Sequence, residues 1–145
     1  MGPQWEGWLV GDYMILEHTA DVGLEARGSS LEETFATATR GMATIAGAWH
    51  PGQGEEVPIE VGGRDLGGVL VEWLSEALYI QDARNASLAG IRVESVTPNR
   101  ASGSVTARPF AADPSEGVQI KAVTYHQLSV EQTEQGWTAR VFFDV

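Results

Sequence analysis

The chain has 145 residues, and 20 acidic against 9 basic side chains give it a formal charge of −11. That length supports one domain, and an apolar share of 43% supplies a real core and excludes a mostly disordered chain. The lack of cysteine excludes disulfide frameworks, thiolate zinc sites, iron–sulfur clusters and cysteine nucleophiles. No apolar run approaches the roughly 20 residues that span a bilayer. The opening residues lack the basic and apolar regions of a secretion signal, so the expectation is a cytoplasmic domain with no membrane partner. Phosphates would be repelled by so negative a chain, which argues against tight direct nucleic-acid binding. A basic protein partner or a divalent cation suits the charge.

In chain order, residues 1–12 are rich in Trp and Gly, show no clear period, and read as an extension ahead of a domain over 13–145. Residues 13–16 and 22–27 read as short strands, joined by the polar connection 17–21. Ser30 and Glu33 make a capping-box pattern, and Leu31, Phe35, Ala38, Met42 and Ile45 follow at helical spacing. Gly47 is a fitting stop, and 48–56 reads as a loop before a strand over 57–61. A second helix should begin after Asp65 and end near Asn85, with Leu66, Val69, Leu70, Trp73, Leu74, Ala77 and Leu78 on its apolar side. Residues 91–96 and 102–108 suit a hairpin about Pro98, Asn99 and Arg100. Residues 109–117 read as a loop, 118–131 as a long strand, and 137–145 as the strand that answers it. Two principal helices and a mainly antiparallel sheet define an α+β domain.

Matching apolar faces sets the register of the last hairpin, because a one-residue slip would flip every side chain. Val130 then opposes Ala139, Leu128 opposes Val141, and Tyr125 faces Asp144. Lys121 lies four residues further along, roughly 13 Å from Asp144 at about 3.3 Å per residue. In this register His126 falls on the apolar face, opposite Phe143. Asp144 is the penultimate residue, so its side chain and the α-carboxylate of Val145 are two neighbouring anionic groups. Hard cations take oxygen ligands of this kind, and residues 141–143 should hold the chain end in the sheet.

Asp21 has two readings: an Asx turn completed by Gly23, or a functional carboxylate. A metal triad of His18, Asp21 and His126 is a weaker alternative. Lys121 either snorkels from a sheet face or anchors a phosphate or a partner's carboxylate. The Gly62-Gly63-Arg64-Asp65-Leu66-Gly67-Gly68 segment lacks the spacing and the Lys-Ser or Lys-Thr of a phosphate loop, and reads as a turn and helix start. No nucleophile elbow or paired acid/base carboxylates stand out.

Four blocks in order resemble the archease family. They are Leu16-Glu17-His18-Thr19-Ala20-Asp21-Val22-Gly23, the helix running from Leu70 to Tyr79, Ile120-Lys121-Ala122-Val123-Thr124-Tyr125-His126, and Val141-Phe142-Phe143-Asp144-Val145. The resemblance implies a non-enzymatic cytoplasmic accessory protein of an RtcB-type RNA-splicing ligase, promoting its guanylylation and multiple turnover in tRNA splicing and RNA repair. It implies a divalent metal site, most simply for calcium, built from Asp21, Asp144 and Val145. It also implies that Lys121, with Asp21 and Asp144, is needed for ligase activation. The rival expectations are a metal-dependent phosphoesterase and a metal-independent chaperone or adaptor.

Overall fold

The computed structural model describes residues 7–10, 12–17, 21–110 and 117–145. Eight strands and two helices follow in the order β1 (Gly7–Val10), β2 (Tyr13–Glu17), β3 (Asp21–Gly28), α1 (Leu31–Ile45), β4 (Glu55–Gly62), α2 (Leu66–Ala83), β5 (Ala86–Thr97), β6 (Arg100–Pro109), β7 (Ala122–Thr133) and β8 (Gly136–Asp144). They form a five-stranded sheet ordered β1-β2-β3-β8-β7 and a three-stranded sheet ordered β4-β6-β5, with antiparallel pairing between all named neighbours. Each helix packs against both sheets: α1 on β3 and β5, α2 on β7 and β4. The helices therefore fill the space between the sheets, and the α+β expectation holds.

Local chemistry explains the helix boundaries. Ser30 caps α1 by accepting from the Glu33 N–H at 3.0 Å, while the Glu33 carboxylate reaches back to the Ser29 N–H at 2.7 Å. Gly47, at φ +69°, ends the helix in the left-handed region that a side chain disfavours. Asp65 caps α2 by accepting from the Gly68 N–H at 2.8 Å, which makes the glycine-rich segment the turn and helix start its spacing suggests. Because sheets flank it on two sides, α2 buries a broad arc of its circumference, including Val69, Leu70, Val71, Trp73, Leu74 and Ile80, and leaves Glu72, Tyr79 and Asp82 exposed on the remainder. The Trp73 indole N–H donates to Thr39 Oγ1 at 2.9 Å, and Thr39 donates to the Phe35 carbonyl at 2.7 Å, so the two helices share a buried polar link.

Several boundaries differ from the sequence expectation. Residues 7–10 form β1, which adds to the edge of β2 with Trp8 paired to Ile15. The alternation in the first dozen residues is too short to announce a strand. β5 begins at Ala86 rather than 91, because Ala86, Ser87, Leu88 and Ala89 are all buried and show no alternation. β7 begins at Ala122, so residues 118–121 precede the strand.

The largest correction concerns the register of β7 and β8. Val130 does oppose Ala139, as expected, and Ser129 opposes Arg140. Between Ser129 and Thr124, however, residues 125–128 of β7 stand against Val141 alone. Gln127 adopts φ +50° within this wide bulge. The pairing shifts by three residues, an odd number, and the facing of the strand is reversed beyond it. Val123 now opposes Phe143, and Ala122, not Tyr125, opposes Asp144.

That shift also relocates His126. It is exposed and meets Phe142, not Phe143, edge-on at 5.7 Å between ring centroids. Phe142 is buried on the face away from the main core, over Gly23, its cross-strand partner. A Cβ on Gly23 would lie 2.6 Å from the Phe142 ring, so the glycine is there for close approach rather than for an Asx turn. Gly23→Ala should destabilise the protein by about 1–3 kcal/mol in urea denaturation. Adding Phe142→Leu should recover part of that loss, giving a coupling that two independent sites would not show.

Candidate functional site

β8 lies between β3 and β7, so its last residues have neighbours on both sides. Asp144 pairs with Asp21 at the start of β3 and with Ala122 at the start of β7. The two aspartates that sequence reasoning singled out are thus direct cross-strand neighbours, with Cβ atoms about 5 Å apart for such pairs. Phe143 and Val22, next along their strands, pair over the core. Alternation then places both carboxylates on the other face, with Phe142 and Gly23. Asp144 is exposed and Asp21 half-buried.

The strand end is held firmly. Val141, Phe142 and Phe143 are each almost wholly buried, and Val145 packs against the core. Full burial of such a side chain stabilises by about 2 kcal/mol, so the segment carrying Asp144 is fixed by three of them and does not behave as a loose terminus.

Lys121 is closer to Asp144 than the predicted register allowed. Its backbone N–H donates to the Asp144 carbonyl at 2.7 Å. The residue also lines a groove with Ser75, Leu78, Tyr79 and Asp82 of α2. The sequence reading put Lys121 on the same face as Asp144; the register shift moves it to the α2 side of the same sheet end. Lys121 is also the sole lysine of the chain. Of the alternative metal triad, His126 stands on Phe142 as described, and His18 lies outside the described residues.

Among the described residues no ion pair engages Asp21, Asp144 or Lys121. Like charges directly opposite one another in a sheet are destabilising. This is the opposite of what a purely structural position would select. Among the described residues no group of three or more His, Asp or Glu gathers as a metal cluster. The aspartate pair supplies oxygen donors alone, the type that hard cations take and that zinc and copper do not favour.

A larger cavity, about 690 Å³, lies at the far end of the same sheet between Glu25, Arg27, Ser29, Thr133 and Trp137. Its charges are already engaged, with Glu25 bonded to Arg140 at 3.0 Å and to Arg27 at 3.5 Å. Sequence reasoning had no access to the Phe142–Gly23 contact or to the exposed Tyr79 and Tyr125 (65% and 64% accessible). A glycine inside an alternating strand was the available signal for the first.

Two sheets clasping a pair of helices, with a cross-strand aspartate pair on the outer rim, define a small single-domain α+β protein whose candidate site is a surface. Residues 13–145 match the model of the Archease protein family. Archeases of Methanosarcina barkeri and Archaeoglobus fulgidus are 33% and 32% identical, covering 92% of this chain and 95% and 98% of theirs. The solution structure of protein 1598 of Methanobacterium thermoautotrophicum superposes with TM-score 0.73 at 23% identity, over 92% of this chain and 99% of its own. The crystal structure of a Thermotoga maritima archease, described as a possible chaperone, gives TM-score 0.64 at 23% identity over 90% and 94%. The chain belongs to the archease family.

The charge pair yields a direct prediction. Calcium should raise the melting temperature of the wild-type protein, since a ligand that binds only the folded state stabilises it. Asp144→Asn should be at least as stable as wild type in chelator and gain nothing from calcium. Thermal denaturation with calcium and with chelator reads both effects.

Proposed function

We propose that this protein is a cytoplasmic activator of an RtcB-type RNA-splicing ligase, promoting guanylylation and multiple turnover in tRNA splicing and RNA repair. It joins no RNA itself. The observation that carries this reading is the cross-strand pairing of Asp21 with Asp144 at a firmly packed sheet end, where the backbone N–H of Lys121, the sole lysine, donates to the Asp144 carbonyl, in a chain of the archease family. Asp21, Asp144 and the α-carboxylate of Val145 would hold a divalent cation, most simply calcium, which supplies concentrated positive charge for phosphate or carboxylate groups. Phe142 and Phe143 fix the carboxylates from both faces of the sheet. Lys121 presents its ammonium from the α2 side of the same end, toward phosphate or an acidic ligase residue. The formal charge of −11 favours docking on a basic protein surface over docking on RNA.

A multiple-turnover RNA ligation assay with the cognate ligase and GTP tests this reading. Wild type should stimulate the ligase, and Asp144→Ala or Lys121→Ala, each folded by circular dichroism, should lose the stimulation by about tenfold or more. A residue added after Val145 should be damaging in the same way without unfolding the protein. Full stimulation by that extended variant would refute the role given to the terminal carboxylate. Phosphate-ester turnover by the protein alone would favour the phosphoesterase reading. Broad client binding indifferent to Asp21→Ala would favour the chaperone.

A further inference from the structure

The bulge in β7 decides what stands beside Asp144. Carried on without a break from Ser129 and Arg140, the pairing would set Tyr125 against Asp144 and leave Lys121 four residues further along. With residues 125–128 set against Val141 alone, Thr124 pairs with Phe142 and Ala122 with Asp144. The Lys121 N–H then reaches the Asp144 carbonyl at 2.7 Å. Two rows cross three strands on the same face of the sheet. Thr124, Phe142 and Gly23 make one, and Ala122, Asp144 and Asp21 make the next. Whatever holds the bulge therefore also holds the sole lysine against the aspartate pair.

A bulge takes residues out of the ladder, so other contacts must hold it in place. Gln127 adds a cost of its own, at φ +50° in the left-handed region that a side chain disfavours. Two side chains pin the segment. At its far end Leu128 packs on the core and closely over Gly67 in the first turn of α2, where a Cβ would lie 2.9 Å from Leu128 Cδ2. At its near end stands Thr124, half-buried. Its hydroxyl donates to the Phe142 carbonyl at 3.0 Å and accepts from the His126 N–H at 3.2 Å. One side chain thus ties the opening of the bulge both to β8 and to its own next residues. In the unbroken register Thr124 would stand against Val145, three residues from Phe142, and the bond to the Phe142 carbonyl would be lost. The hydroxyl therefore favours one register over the other.

We propose that Thr124 is the positioning residue of the carboxylate site: its hydroxyl selects the bulged register and so sets Lys121 against Asp144. The proposal rests on the ligase-activation reading for its effect on rate, and names the side chain that keeps the lysine and the aspartates together. Thr124→Val keeps the branched shape but removes both donor and acceptor, whereas Thr124→Ser keeps the hydroxyl. The test reads the register by cross-strand nuclear Overhauser effects on the folded variants, and titrates each into multiple-turnover ligation. In Thr124→Val the Ala122–Asp144 contact should weaken about twofold or more, with a Tyr125–Asp144 contact in its place. The plateau ligation rate should fall about fivefold or more at unchanged half-saturation. Thr124→Ser should match wild type in both. Thr124→Ala, which also lacks the hydroxyl, serves the same test if the valine variant does not fold. A hydroxyl that serves stability alone would lower the melting temperature and leave the wild-type contacts in place, and that result overturns the proposal. So does a changed register with an unchanged plateau, because the position of Lys121 would then not matter to the ligase. If wild type does not stimulate the ligase, the activation reading fails, and the cross-strand contacts alone decide whether Thr124 sets the register.

Discussion

The larger sheet depends on one insertion: β8 runs between β3 and β7 and pairs with both. Its alternating residues serve two interiors. Val141 and Phe143 enter the core beside the helices, while Phe142 is buried on the opposite face over Gly23. Without β8, β3 and β7 share no hydrogen bonds, and Asp21 has no charged neighbour at the Asp144 position. Packing and the candidate site thus meet in a single strand, and the same burial that secures it also fixes where the Asp144 carboxylate stands.

The wide bulge at residues 125–128 has the second largest effect. It turns the early part of β7 over, so Val123 packs inward and Ala122 comes beside Asp144. It also brings Lys121 into backbone contact with Asp144, in a groove shared with α2. One sheet end therefore gathers the paired aspartates and the sole lysine of the chain.

Elements with strong local chemistry were legible before the fold was known. The Ser30–Glu33 cap, the Asp65 start of α2 and the turn after Thr97 each depend on residues close in sequence, and each is where the pattern puts it. The aspartates were legible as residue types, but their direct pairing was not, since it depends on β3 and β8 meeting across the length of the chain. The bulge escaped notice because matching apolar faces assumes an unbroken period of two, and four residues against one, a surplus of three, break it. His126 and Lys121 were misplaced for that one reason. β5 began earlier than expected because buried strand residues lose the alternation that marks a half-exposed one.

The pairing of β3 with β8 has a kinetic side. Glu25 and Arg140, bonded across these strands, are 115 residues apart in the chain. Contacts of such long range are slow to form, since the loop-closure entropy must be spent before any bond repays it. The β2–β3, β5–β6 and β7–β8 hairpins join neighbours in the chain, so the β3–β8 seam carries the largest loop-closure cost of the five-stranded sheet. Asp21 and Asp144 sit at one end of that seam, and a chain in which β3 and β8 have not met lacks the carboxylate pair altogether.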